Sequence, residues 1–77
     1  RSQGRRVVPR FPGVSHRRAV AALRKAGFEV VREGKHIVMS DGTRMVTIPR
    51  HDPVNAFTMA GIVLDAGLTL DEFRDLL

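Results

Sequence analysis

The chain has 77 residues, a formal net charge of +5, and no cysteine, tryptophan or tyrosine. This length allows one small domain with a modest core, and the lack of cysteine excludes disulfides and thiolate metal sites. Because no apolar run is long enough to span a membrane and the arginine-rich start lacks the apolar stretch of a secretory signal, we expect a cytoplasmic protein without membrane contacts.

The positive charge is concentrated in the first two thirds of the chain. Residues 1–50 contain twelve Lys or Arg against three Asp or Glu, whereas residues 51–77 contain one against five. A basic block attracts polyanions such as nucleic acids, although such charges also serve simply to keep a small domain in solution. The acidic remainder would repel RNA, so it could instead face a protein partner.

The chain begins with an arginine-rich segment in which Pro9 and Pro12 favour extended backbone. We predict a basic, flexible N-terminal arm over 1–14 and a single domain over 15–77. Ser15 is a suitable N-cap for a first helix over 16–26, because apolar residues recur there at helical spacing. Gly27 then provides the left-handed conformation that commonly ends a helix.

Three extended segments follow, at 28–32, 36–39 and 45–48. Gly34 separates the first two, and the Asp41-Gly42 pair predicts a two-residue type I′ hairpin between the last two. In that register Ser40 pairs with Thr43, and this pair determines all the other residue pairs between the two strands. The side-chain period of two then defines two faces of the sheet. One carries Ile37, Met39, Val46 and Ile48, and the other carries His36, Val38, Met45 and Thr47.

The first of these faces is the more apolar, so we expect helices to cover it and His36 to lie on the open face. A second helix is predicted over 56–66, and the capping-box sequence Thr69-x-x-Glu72 predicts a short final helix. The expected fold class is α+β. Its order is α-β-β-β-α, with a three-stranded antiparallel sheet, helices on one face and a short C-terminal helix.

The candidate chemistry centres on histidine. His16, His36 and His51 do not have the spacing of a metal site, and no nucleophile elbow or phosphate-binding glycine loop is present. A histidine can take a proton from a ribose 2′-hydroxyl or give one to a leaving 5′-oxygen. His36 is therefore the candidate acid/base, although a lone surface histidine is more often an ordinary exposed strand residue. His51 could be a second acid/base, a phosphate contact or only a residue before the second helix.

Cations surround His36 in the predicted sheet. Lys35 precedes it, and Arg32 and Arg44 are expected nearby on the neighbouring strands. Such side chains hold phosphates and offset the negative charge that develops on phosphorus during cleavage. We predict His36 as catalytic, and Lys35, Arg32, Arg44 and His51 as RNA-binding.

The motifs, taken together and in order, resemble the HicA toxin family of bacterial and archaeal toxin–antitoxin systems. No single motif decides this, but the ordered set covers essentially everything from Ser15 to the C-terminus. The motifs are Ala26-Gly27-Phe28, Gly34-Lys35-His36-Ile37, Asp41-Gly42, Thr47-Ile48-Pro49-Arg50-His51, Thr58-Met59-Ala60-Gly61-Ile62, Ala66-Gly67-Leu68-Thr69 and Glu72-Phe73.

The resemblance implies a fold like that of double-stranded-RNA-binding domains and the activity of a ribosome-independent mRNA interferase, an endoribonuclease with no known metal or other cofactor. It also implies a HicB antitoxin that covers the active site. The family's catalytic histidine falls on His36, whereas Lys35 stands where many members have serine. From the residues alone, a non-catalytic RNA-binding module and a protein-interaction domain remain open alternatives.

Overall fold

The computed structural model describes residues 14–77, which form a three-stranded sheet and three helices. The elements in chain order are α1 (His16–Lys25), β1 (Glu29–Glu33), β2 (His36–Ser40), β3 (Met45–Pro49), α2 (Ala56–Asp65) and α3 (Leu70–Leu76). This order confirms the predicted α+β fold, α-β-β-β-α with a short C-terminal helix. No helix in the described part of the chain is long and apolar enough to cross a membrane.

The predicted N-terminal arm lies outside the described residues except for Val14. That residue is buried, and its carbonyl oxygen accepts a hydrogen bond of 2.7 Å from the Val54 N–H. The contact fastens the entry of α1 to the segment that precedes α2.

The helix ends follow the sequence signals. The Ser15 hydroxyl accepts the Arg18 N–H at 3.2 Å, so Ser15 is the N-cap of α1. Gly27 follows the helix with φ +100°, a conformation that residues with a Cβ seldom adopt. At α3 the Thr69 N–H donates to Glu72 Oε1 and the Glu72 N–H donates to Thr69 Oγ1, which completes the predicted capping box.

The helices cover one face of the antiparallel sheet, whose strand order is β1-β2-β3. The four residues predicted to face them are all buried, namely Ile37, Met39, Val46 and Ile48. They pack with side chains from every helix, including Leu23 of α1, Met59 of α2 and Phe73 of α3. No helix of residues 14–77 covers the opposite face, which is called the open face below.

The predicted two-residue hairpin is wrong. Ser40 pairs with Met45, so the loop between β2 and β3 has four residues, 41–44. Asp41 explains the longer loop, because its Oδ1 accepts the backbone N–H groups of Thr43 at 2.8 Å and Arg44 at 2.7 Å. These bonds, led by that of Arg44, lower the pKa of Asp41. The register differs from the prediction by two residues, so each side chain keeps its predicted face.

A β-bulge interrupts the pairing of β1 with β2. Val30 is opposite Met39 and Arg32 is opposite Val38, so Val31 is one extra residue in β1. In a regular strand Val30 and Arg32 would share a face. Because of the bulge, Val30 remains on the helix side while Arg32 aligns with Val38 on the open face.

Candidate functional site

His36 lies on the open face of the sheet, at the first position of β2. The ring is exposed to solvent, and the residue is opposite Pro49 of β3. It lines an open cavity of about 310 Å³. The other lining residues are Arg32, Gly34, Lys35, Val38 and Thr47.

Backbone and side-chain bonds fix the turn that precedes His36. The Gly34 N–H donates to the His36 carbonyl oxygen at 3.1 Å. The Gly34 carbonyl in turn accepts Arg50 Nε–H at 2.9 Å, and Arg50 Nη2 lies 3.4 Å from Glu33 Oε1. Arg50 follows β3 directly, so it ties the end of that strand to the turn between β1 and β2. Both backbone polar groups of Gly34 are therefore engaged beside the candidate catalytic ring.

The cavity is electropositive. Arg32 and Lys35 both line it, and neither forms an ion pair with a carboxylate of residues 14–77. The acidic side chain next to the turn, Glu33, is directed to Arg50 instead. An anion that enters the cavity would therefore meet two cations that no described carboxylate neutralises.

Arg44, the third predicted cation, is not part of this cavity. It lies in the loop between β2 and β3, and its guanidinium packs over Gly67 after α2. A Cβ built on Gly67 would be 2.9 Å from Arg44 Cζ. This places a positive charge close to the C-terminal end of α2, where the helix dipole favours it. Its predicted contact with RNA would have to be made outside the cavity.

The other two histidines also lie outside the cavity. His51 is exposed in the segment after β3. His16 is mostly buried, with 15% of its side chain exposed, and its Nδ1 lies 2.8 Å from Asp52 Oδ1. The same Asp52 oxygen accepts the His16 backbone N–H at 3.0 Å. This backbone bond, followed by the ring contact, lowers the pKa of Asp52.

Three residues of the site had no assigned role in the sequence analysis. Val38 and Thr47 line the cavity, and they stand on the predicted face of His36, so the side-chain alternation carried a signal for both. Arg50 was part of a quoted motif, but its bond to Gly34 spans sixteen residues and has no local signal. Within residues 14–77, no three His, Asp or Glu side chains are grouped as they would be around a metal ion.

The cavity therefore combines an accessible imidazole, two cations that no carboxylate of residues 14–77 neutralises, and the apolar side chain of Val38. Such a site can place a phosphate between cations and exchange a proton at a neighbouring oxygen. The sequence model of a protein family, described as the HicA toxin of bacterial toxin–antitoxin systems, matches residues 16–68. The chain belongs to the HicA toxin family. No curated protein matches the chain, and no solved structure does either.

The match begins at the first residue of α1 and ends just after α2, so it includes the whole sheet and every residue that lines the cavity. The HicA identity makes this chain a toxin-family protein whose biology involves an antitoxin partner. The short helix α3 lies beyond the matched segment, although its Phe73 belongs to the same core.

Proposed function

We propose that this HicA protein is a ribosome-independent mRNA interferase, an endoribonuclease that uses His36 for acid/base catalysis in the cytoplasm. The observation that carries the proposal is the exposed His36 ring in an open cavity that it shares with Arg32 and Lys35. An enzyme that acts on a phosphodiester needs a titratable group within reach of the reacting oxygens and cations for the phosphate. This cavity offers both.

In the proposed reaction, neutral His36 takes the proton of a ribose 2′-hydroxyl. The 2′-oxygen attacks the adjacent phosphorus, the bond from phosphorus to the 5′-oxygen breaks, and the leaving oxygen is protonated. The products are a 2′,3′-cyclic phosphate and a 5′-hydroxyl end, so no water, metal or redox partner enters the atom balance. Arg32 and Lys35 would offset the negative charge that develops on the phosphoryl oxygens.

RNA contacts outside the cavity complete the proposal. The predicted contacts of Arg44 and His51 would be made with nucleotides beyond the cleaved linkage, because neither side chain lines the cavity. No Trp or Tyr exists in the chain to stack a base. Because no Phe of residues 14–77 lines the cavity either, arginine planes would have to supply stacking there.

A non-catalytic RNA-binding module is the second candidate, and one observation favours it. His36 is the one imidazole that lines the cavity, whereas cleavage needs a base for the 2′-hydroxyl and an acid for the leaving oxygen. In the catalytic proposal, the protonated His36 or Lys35 must return that proton. If neither can, the same cations would hold RNA without cutting it.

The antitoxin partner is proposed to be a HicB-like protein that covers this cavity. An open basic surface favours a blocker with acidic groups, since complementary charge speeds association and helps to exclude wrong partners. Such a blocker would compete with RNA for Arg32 and Lys35.

The substitution His36→Ala tests catalysis. We expect the rate of cleavage of a purified mRNA to fall by roughly 10²- to 10⁴-fold, because general acid/base catalysis is lost. Affinity for the same RNA should change little, since the phosphate-holding cations remain. Cleavage is measured by gel electrophoresis with antitoxin-free protein, and affinity by fluorescence anisotropy.

His51→Ala is the matched comparison, because it removes an exposed imidazole that does not line the cavity. It should weaken RNA binding without abolishing cleavage. Wild-type protein that binds mRNA but leaves it intact would support the binding module and end the catalytic proposal.

A further inference from the structure

The first turn of α1 has the wrong charge for its helix. Arg17 and Arg18 occupy it, and it contains no acidic residue. The N-terminus of a helix carries partial positive charge, so cations there are unfavourable. Within the same chain, α3 begins with Asp71 and Glu72. The two helices therefore have opposite first-turn charges.

The contrast extends to the cap itself. Both α1 and α3 begin with a hydroxyl N-cap, Ser15 and Thr69. At α3 the third helical residue, Glu72, completes a capping box, whereas α1 has Arg18 at that position. A Glu or Gln in place of Arg18 would accept the Ser15 N–H, which has no acceptor among residues 14–77. The helix with Arg18 is therefore less stable than it would be with Glu or Gln at this position.

The first turn of α1 is linked to the His36 cavity through the segment that follows β3, although the helix itself packs on the other face of the sheet. His16 is bonded to Asp52, which follows Arg50 by two residues. Arg50 in turn is bonded to Gly34 on the cavity wall. Two side-chain contacts and the three-residue segment 50–52 therefore connect the first turn of α1 to the turn before His36.

We propose that Arg17 and Arg18 form a second RNA-contact surface, which holds the phosphate backbone of the substrate where it leaves the His36 cavity. Both side chains are exposed, and neither has an ion-pair partner among the described residues. The first-turn N–H groups are not the ligand site, because Asp52 and Ser15 accept those of His16 and Arg18. The inference rests on the proposed function for its choice of RNA as the ligand.

Arg18 is the better residue to test. Arg17 is close enough to Asp52 that its charge contributes to lowering the pKa of that carboxyl, so part of its field is already offset. Arg18 is not among the residues that lower the pKa of Asp52, so its field is not offset in this way. It also occupies the position at which an acidic residue would complete the capping box.

Arg24 supplies a matched control. It is exposed, lies in the last turn of the same helix and has no ion-pair partner in the described part of the chain. Arg18→Glu and Arg24→Glu change the net charge equally. The last turn of a helix favours cations, so the two variants should have opposite effects on stability.

The experiment measures binding of a short, unpaired, fluorescein-labelled RNA by anisotropy over a salt series. The chain carries His36→Ala so that the RNA stays intact. Arg18→Glu should weaken binding by about tenfold at low salt and reduce the slope of log K against log salt by about 1. Its Tm should nevertheless rise. Arg24→Glu should lower the Tm and change affinity by less than about twofold.

Arg18→Gln separates the effect of the capping box from that of charge, since glutamine also completes the box but adds no negative charge. It should raise the Tm and cause a smaller loss of affinity. Equal losses for Arg18→Glu and Arg24→Glu, or no loss for Arg18→Glu, would overturn the inference. Wild-type protein that binds RNA in this way but does not cleave it would overturn the proposed function alone.

Discussion

Asp52 belongs to no helix or strand, yet it connects two parts of the fold. Its Oδ1 accepts a hydrogen bond from the His16 backbone N–H and also contacts Nδ1 of the His16 ring, across thirty-six residues of sequence. The bond compensates for part of the unfavourable first-turn charge of α1, because it brings a negative group to the positive end of that helix. The start of α1 therefore depends on a residue that directly precedes Pro53 and lies outside every regular element.

The lowered pKa of Asp52 predicts a dependence of stability on pH. The folded state holds this pKa below its ordinary value of 3.8, so the stabilisation is fully present above that pH and is lost as the pH falls through the lower, folded-state pKa. We expect Asp52→Asn to lower the Tm at neutral pH. The difference from wild type should shrink below about pH 4.

Circular dichroism melts from about pH 7 to about pH 2 would measure this effect. Asp41→Asn is the comparison, because hydrogen bonds within its own loop lower the pKa of Asp41 too. That variant should show the same pH trend without loosening the start of α1. A constant difference between Asp52→Asn and wild type at all pH values would contradict the prediction.

Single residues differ in how far the sequence could predict their surroundings. Ser15 and Thr69 were predictable as caps because their partners lie three residues away. The exposure of His36 followed from strand alternation. The bonds of Arg50 and Asp52 could not be predicted, because they join segments that come together only when the sheet and helices have packed.

At the scale of elements, the β2–β3 hairpin shows why a wrong register still gave the correct faces. The Asp41-Gly42 pair was assigned to a two-residue loop, whereas the Asp41 side chain stabilises a loop of four. Side-chain alternation has a period of two, so an even error leaves every residue on its own face. An error of one residue would have buried His36.

The bulge in β1 had no signal in the sequence analysis, although the cavity depends on it. We predict that deletion of Val31 makes β1 a regular strand in which Arg32 follows Val30 directly and stays opposite Val38 on the open face, because successive residues of a strand face opposite sides. RNA affinity should be kept, and the free energy of unfolding should change by about 1 kcal/mol or less, because no charge has to enter the core. Urea denaturation provides the measurement.

Val31→Ala is the control for this deletion, because it keeps the extra residue and shortens a side chain that is 57% exposed. Its effect should stay within about 0.5 kcal/mol, the usual range for surface positions. If the deletion variant lost more than about 2 kcal/mol relative to Val31→Ala, or lost its RNA affinity, the position of Arg32 would depend on Val31 itself and not on strand alternation.

At the scale of the whole molecule, one core unites all six elements. Phe73 of α3 is fully buried in the same cluster as Phe28, which follows α1, and Ile48 of β3. We predict that Phe73→Ala costs about 3–5 kcal/mol. Small domains are stable by only about 5–15 kcal/mol, so this loss should lower the stability of the entire domain. The domain should still unfold in one cooperative transition, without a separate earlier unfolding of α3.

Phe57→Ala is the matched control, because the ring of Phe57 is 70% exposed on α2. It should change the unfolding free energy by less than about 1 kcal/mol. A single calorimetric transition, with equal calorimetric and van't Hoff enthalpies, would show that Phe73 supports the whole fold. A separate early transition in Phe73→Ala would instead indicate that α3 unfolds independently.

Within residues 14–77 the edge strands of the sheet are β1 and β3, and each bears an obstacle to further strand addition. The bulge at Val31 breaks the regular spacing of donors and acceptors along β1, and Pro49 leaves the end of β3 without one N–H. A strand from another molecule could not extend either ladder over its full length. The features that shape the surroundings of His36 thus also discourage edge-to-edge aggregation of a toxin whose sheet has helices of residues 14–77 on one side only.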